Sequence, residues 1–298
     1  MIKATRSGLD PVLRAVLSGW FGGAGIEAAR IDAGVHSGYT GTITAGTQKV
    51  FCKAVSTQDT RLARMLGQEA AITPLLGALA PSLLGDIEAD GWRVLLFEHL
   101  PGSHADLAPG GTGLTVLTEL VDHLHEATAA VPTGGVPDLA EQWRRASPWR
   151  RLFAEPPGGL QPAVAALLDP AARTEEDRLA LLDGHHLAHT DLHSLNMLTN
   201  GHTIRVVDWA WARTAPPWWD AVMLAIRLIE AGHTPQQAHA WLHTTTPAAH
   251  LPDHTLHAIT TQAIGMWTWL AAHDTRRPHL NDLANAGMAL LRHTENAA

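Results

Sequence analysis

Five residues of chemically useful type stand close together: His189, Asp191, His193, Asn196 and Asp208. The first four lie in His189-Thr190-Asp191-Leu192-His193-Ser194-Leu195-Asn196, an H-x-D-x-x-x-x-N pattern, and Asp208 follows twelve residues later. The run Ile204-Arg205-Val206-Val207 before it reads as a short strand that delivers a carboxylate at the mouth of a sheet. Phosphoryl transfer uses such a set: one carboxylate beside the attacking hydroxyl, and an amide plus a second carboxylate for Mg²⁺. Asp191 suits the first role, and Asn196 and Asp208 the second. A metal-dependent phosphohydrolase is open on the same stretch, with His189, Asp191, His193 and Asp208 as ligands. It leaves Asn196, Lys53 and Glu69 without a task.

Phosphoryl transfer would also need residues that hold the phosphate donor. The chain has three lysines: Lys3, Lys49 and Lys53. Alternation along Lys49–Val55 puts Lys53 on one face with Phe51 and Val55. An ammonium among apolar groups needs an anionic partner. Glu69, sixteen residues on in a helix read at 59–79, is the candidate. Strands are read at 26–31, 41–45, 49–55, 86–88 and 92–97. The stretch Gly34-Val35-His36-Ser37-Gly38-Tyr39-Thr40-Gly41 reads either as a hairpin turn or as a loop whose amides, at Ser37 and Gly38, approach an anion. From residue 112 the pattern is helical, with segments at 139–153, 161–168, 175–183, 235–246, 253–273 and 279–293.

The H-x-D-x-x-x-x-N loop with Asp208, taken with Lys53 and Glu69, resembles the aminoglycoside phosphotransferase family, small-molecule relatives of the protein kinases. The metal-binding triplet departs from D-F-G, since it is Asp208-Trp209-Ala210. The resemblance implies an α+β, bilobal, protein-kinase-like fold: an N-terminal antiparallel sheet lobe with one long helix over residues 1–98, and a mainly helical catalytic and acceptor-binding lobe over 99–298. It implies ATP (or GTP) and Mg²⁺ as cofactors, bound in the cleft between lobes. Asp191 and His193 become the catalytic candidates. Lys53, Glu69, Ser37, Gly38 and the backbone of Glu98 and Leu100 become the nucleotide-binding candidates, and Asn196 and Asp208 the metal ligands. His189 is expected to pack under the loop and bond its backbone. Asp220 is expected to brace the loop or to cap a helix.

Residues 1–96 carry nine Lys/Arg and eight Asp/Glu, and residues 97–298 twelve and twenty-one. The acidic balance argues against nucleic acid as a partner and favours a cationic small molecule. Acceptor candidates are Asp274, Asp282 and Trp267, with Glu230, Glu155 and Trp269 behind them; a tryptophan face can hold a cation or simply pack. With this acidic balance, the resemblance implies a hydroxylated small-molecule acceptor, an aminoglycoside or related antibiotic, with a nucleoside, a macrolide or a metabolite such as choline as alternatives. The resemblance implies a role in antibiotic resistance, with a biosynthetic role open beside it. No apolar run of about 18 residues appears, and no signal-peptide core follows Met1. One cysteine, Cys52, fits a reducing compartment, so a cytoplasmic protein is expected.

Overall fold

The computed structural model describes residues 4–5, 8–31, 38–274, 276–277 and 279–297. The chain forms two compact units, Met1–Ser103 with Leu198–Trp211, and His104–Met197 with Ala212–Ala298. The first is not one continuous stretch, because the hairpin that carries Asp208 returns to it.

In the first unit, β1 (Ala4–Thr5), β2 (Glu27–Ile31), β3 (Tyr39–Ala45), β4 (Gln48–Ser56), β5 (Leu83–Ala89) and β6 (Trp92–Glu98) form one sheet in the order β1-β2-β3-β4-β6-β5. All five neighbouring pairs of this sheet are antiparallel. The five strands expected from sequence are present, and β1 adds to them. Alternation along β4 decides the layers. Val50, Cys52 and Ala54 face α1 (Pro11–Trp20), whose Leu13 and Leu17 complete that cluster. Phe51 and Val55 face α2 (Thr60–Ile72) through Leu66 and Ala70. The Asp10 carboxylate accepts the N–H groups of Val12 and Leu13, and Pro11 at the first turn has no N–H to lose. The α-helix read over 59–79 stops at Ile72 and continues as 3-10 turns over Thr73–Leu79, broken at Gly77 (φ 55°). Pro74 cannot donate to the residue four back, which accounts for the change.

The rest of the chain adds β7 (Ser103–His104), α3 (Leu114–Ala129), α4 (Leu139–Ala146), α5 (Pro148–Ala154), α6 (Pro162–Arg173), α7 (Glu175–Ala180), β8 (His186–Ala188), β9 (Met197–Thr199), β10 (Ile204–Val206), β11 (Arg213–Ala215), α8 (Trp219–Glu230), α9 (Pro235–Leu242), α10 (Asp253–His273) and α11 (His279–Ala297). In the second unit β8 and β11 make a two-stranded antiparallel ribbon, Arg213 opposite Ala188. The helix read over 139–153 is two helices. Ser147 sits at φ 39° before Pro148, where the proline ring disfavours helical geometry. Buried Glu175 receives the freed ends of α5, the N–H groups of Trp149 (2.9 Å) and Arg150 (3.1 Å). No helix among the described residues is long and apolar enough to cross a membrane.

One core contact yields a stability prediction. Trp149 is fully buried and donates Nε1–H to the Thr261 carbonyl at 2.9 Å. Gly265 of α10 faces that ring so closely that a Cβ would overlap the indole. Gly265→Ala gains up to about 1 kcal/mol of helix propensity but overpacks a filled core, at about 1–3 kcal/mol. The expected result is a lower urea midpoint with an unchanged m-value.

A second prediction concerns pH. His186 at the start of β8 lies 2.6 Å from Thr128 Oγ1, and that hydroxyl donates to the Leu124 carbonyl. The hydroxyl has one proton, so His186 Nε2–H must be the donor to it. Burial, with the stacked His125 ring 4.9 Å away, pushes the His186 pKa down to about 4. The unfolded chain then binds a proton that the folded chain refuses. Stability from this group is full above about 6.5 and is lost as pH falls toward about 4. His186→Gln keeps a donor to Thr128, and its Tm should vary less with pH across that window than the wild type's. Parallel Tm–pH curves would count against the assignment.

Candidate functional site

The first unit assembles three of the charged candidates. Lys53, in the middle of β4, lies opposite Thr40 on one side and Leu95 on the other. Its Nζ reaches both oxygens of Glu69 on α2, at 2.8 and 2.9 Å, and Asp208 Oδ1 at 2.7 Å. Burial alone would lower the Lys53 pKa; the Asp208 and Glu69 carboxylates reverse that and hold it above its ordinary value. Burial raises the Glu69 carboxyl, opposed by Lys53 and by a backbone hydrogen bond from Trp209. Asp208 is a non-glycine residue at φ 68°, a backbone state tolerated where surrounding bonds over-determine it. Its side chain is 40% exposed while Glu69's is 3%, so Asp208 is the carboxylate of the pair that still meets solvent.

The hairpin of β9 and β10 that delivers Asp208 is tied to the sheet of its own unit by Arg205. The guanidinium donates to Glu98 Oε1 (3.0 Å) and to the carbonyls of Ala78 (3.1 Å) and Ala80 (2.8 Å). The hydrogen bond from Arg205 holds the Glu98 carboxyl below the usual carboxylate range. The Glu98 N–H is committed to the Ser82 carbonyl at 2.9 Å. Leu100 follows in the exit segment and is half-buried. Gly38 is exposed, beside Trp92 and the Ala54 carbonyl. Ser37 lies outside the described residues.

The second unit holds the H-x-D-x-x-x-x-N loop, which leaves β8 at Ala188. His189 is fully buried, and its Nδ1 accepts the Asp191 N–H at 3.3 Å. Thr190 is forced to φ 63°. Asp220 makes this bend possible: its carboxylate accepts the N–H of His189 (2.7 Å) and of Thr190 (2.9 Å). Asp220 is thus a brace for the loop. Burial raises its carboxyl pKa, opposed by His189 and the two N–H groups. His189, inward-facing and bonded to backbone, is poorly placed as the metal ligand a hydrolase would need.

Asp191 keeps its carboxylate 41% exposed, with His193 Nε2 at 3.6 Å from Oδ2. His193 Nδ1 accepts the Leu195 N–H at 3.2 Å, and its Nε2 lies 3.2 Å from Asn196 Nδ2 on the side that faces Asp191. Asn196 donates Nδ2–H to the Asp191 carbonyl at 2.9 Å, which makes Oδ1 the candidate donor atom to a metal. The Ser194 hydroxyl donates to the Ala105 carbonyl and anchors the far side of the loop.

Beside the loop lies a pocket of about 330 Å³, lined by Asp106, Leu107, Ala108, His193, Ser194, Arg227, Glu230 and Ala231. Its volume is at the lower end of the ~300–1,000 Å³ usual for small-molecule sites. Arg227 and Glu230 form an ion pair at 3.1 Å. Of the acceptor candidates read from sequence, Glu230 is in this lining. Asp274 is instead held by Arg276 (2.8 Å) and Arg277 (3.4 Å); the Arg276 hydrogen bond pulls its pKa down to about 2. Trp267 packs against the core cluster of Trp149, Ile264 and Met288. Asp282 sits in the first turn of α11. Asp106 and Arg227 were missed: one sits in a turn and the other on a helix face, and neither spacing marks a site.

The model of the phosphotransferase enzyme family matches residues 34–257. No curated protein sequence matches the chain. Among solved structures, aminoglycoside phosphotransferase APH(4)-Ia in a ternary complex with AMP-PNP and hygromycin B superposes with TM-score 0.64 at 15% identity, over 95% of this chain and 98% of that one. Spectinomycin phosphotransferase APH(9)-Ia, with ADP and spectinomycin, gives 0.59 at 13% over 97% and 99%. A choline/ethanolamine kinase family protein from Mesorhizobium loti gives 0.62 at 14% over 95% and 93%. At these identities the likeness is one of fold, the kinase-like α+β architecture.

Proposed function

The chain belongs to the phosphotransferase enzyme family, and from that premise we propose that it transfers the γ-phosphoryl group of ATP to a hydroxyl of a small aminocyclitol-type antibiotic. The observation that carries the reading is the exposed Asp191 carboxylate, presented by a braced loop beside a ligand-sized pocket that His193 shares.

In this reading the acceptor hydroxyl sits against Asp191. Its oxygen forms the new bond to the γ-phosphorus as the bond to the β–γ bridging oxygen breaks, and ADP leaves. The hydroxyl proton passes to Asp191. His193 Nε2, 3.6 Å from Asp191 Oδ2, stands beside that carboxylate at the edge of the pocket. Lys53, held by Glu69, offers its ammonium to the α- and β-phosphates. The Asp208 carboxylate and the Asn196 amide oxygen are hard donors that suit Mg²⁺; when bound, the ion supplies charge neutralisation on the phosphates. The Arg227–Glu230 pair and Asp106 give the pocket both signs of charge, suited to an acceptor with hydroxyl and ammonium groups.

Two fold neighbours carry hygromycin B and spectinomycin, which puts aminocyclitols first, and the choline/ethanolamine kinase neighbour puts small amino alcohols second. The test is ADP release by the full chain with Mg-ATP across both classes, read against the acceptor-free rate. Acceptor-dependent ADP release with a phosphorylated product is expected for the first class. Tight ATP binding with no acceptor-dependent release anywhere in the panel would sink the proposal.

A further inference from the structure

A second cluster of ligand-type side chains lies in the second unit and plays no part in the reaction above. His239, in the last turn of α9, and His243, one turn on, present their rings on one helix face. The chain then makes a short 3-10 turn, Thr246–Ala248, and α10 begins with Asp253. His239 Nε2 lies 3.0 Å from Asp253 Oδ1 and 3.2 Å from His243 Nε2, and His243 Nε2 lies 3.8 Å from the same Asp253 oxygen. From α11, His293 packs against the His239 ring with centroids 5.1 Å apart.

We infer that His239, His243 and Asp253 form a binding site for a zinc-class divalent ion that clips the end of α9 to the start of α10. Three features of the geometry support this. First, an ion holding tetrahedral ligands at about 2.0–2.1 Å sets them about 3.3–3.4 Å apart, and the three separations here bracket that value. Second, the His243 ring is oriented from behind. Its Nδ1 lies 3.2 Å from the Ala248 carbonyl, which can only accept, so the proton is on Nδ1 and the Nε2 lone pair points into the cluster. A backbone carbonyl behind the non-ligating nitrogen is the usual support of a metal-binding histidine. Third, the C-terminal end of α9 carries the negative end of the helix dipole, which favours a cation. Two imidazoles and one carboxylate suit zinc, or its borderline neighbours cobalt and nickel, over Mg²⁺. Asp253 is 46% exposed and His243 29%, so an ion and a solvent ligand can reach the site. The inference is independent of the phosphotransferase reading, because none of these residues lines the pocket beside Asp191.

The rival arrangement is a hydrogen-bonded trio only: His239 Nε2–H shared between Asp253 and His243, with no ion. The chelator-treated full chain, titrated with ZnCl₂ by calorimetry and with CoCl₂ by visible absorption, separates the two. The expected results are one saturable zinc equivalent, the visible bands of a low-coordinate Co²⁺ site, a higher Tm at saturating zinc, and no such effect of Mg²⁺ alone. Asp253→Asn, which preserves shape at an exposed position, and His243→Gln should each weaken zinc binding at least tenfold. His250→Gln, an exposed histidine outside the cluster, should leave it unchanged, as should Asp208→Asn. Absence of a saturable equivalent, or one whose affinity ignores both Asp253→Asn and His243→Gln, overturns the inference in favour of the hydrogen-bonded trio.

Discussion

Asp191→Ala is expected to lower kcat by about 10²–10⁴ while nucleotide affinity and Tm stay close to wild type. The asymmetry follows from what Asp191 supports. Its backbone N–H is held by His189 Nδ1 and its carbonyl receives Asn196 Nδ2–H; both survive truncation at Cβ. The bend before it is held by Asp220 through the N–H groups of His189 and Thr190. The side chain is 41% exposed, so its removal opens no cavity. Its negative charge also works against ionisation of Asp220, so Asp191→Ala relieves a repulsion. Asp191→Asn should behave in the same way, since it keeps the shape and loses the base. Kinetics of ADP release, with nucleotide Kd and Tm measured in parallel, check the split. Turnover within threefold of wild type would remove Asp191 from the proposed role.

The parts of the site legible in the sequence are those where local period and spacing do the placing. Alternation along β4 put Lys53 on the α2 side, and sixteen residues of strand, turn and helix brought Glu69 to it. The boundaries of α10 were readable because apolar spacing runs uninterrupted from Asp253 to His273. Other features were hidden because they depend on where distant segments meet. Asp220 reads as well as a cap of α8 as a brace for Thr190. Arg205 looks like any polar residue in a strand, yet it bonds Glu98 and two carbonyls. Asp106 and Arg227 are separated by more than a hundred residues and share a pocket only after folding. The i,i+4 pair His239 and His243 is visible as a spacing, but Asp253 joins it only through the 3-10 turn. His189 is fully buried under the loop with its Nδ1 on the Asp191 N–H, the place that the resemblance implied for it. The break at Ser147 was within reach, since the following Pro148 disfavours helical geometry at Ser147.

Lys53→Met is expected to reduce both stability and turnover, and the two losses should separate when a second substitution is added. Lys53 is 12% exposed and Glu69 3%, so the ion pair is nearly dry. Removing the ammonium strands a buried carboxylate, and breaking such a pair typically costs about 3–5 kcal/mol. Glu69 answers by rising further in pKa, since burial already pushes it up and Lys53 is the strongest force opposing that. A carboxyl whose folded pKa is raised contributes stability that is full below its unfolded pKa and lost as pH rises through the folded one. The Tm deficit of Lys53→Met should therefore grow from acidic toward neutral pH. Adding Glu69→Gln removes the stranded charge, and the double variant should regain most of the lost Tm at neutral pH. It should not regain kcat, because no cation remains to meet the phosphates. Loss of one such preorganised charge is worth on the order of 10²–10³ in rate. A double variant that recovers turnover together with Tm would make Lys53 a structural partner of Glu69 and Asp208, with no hold on the nucleotide.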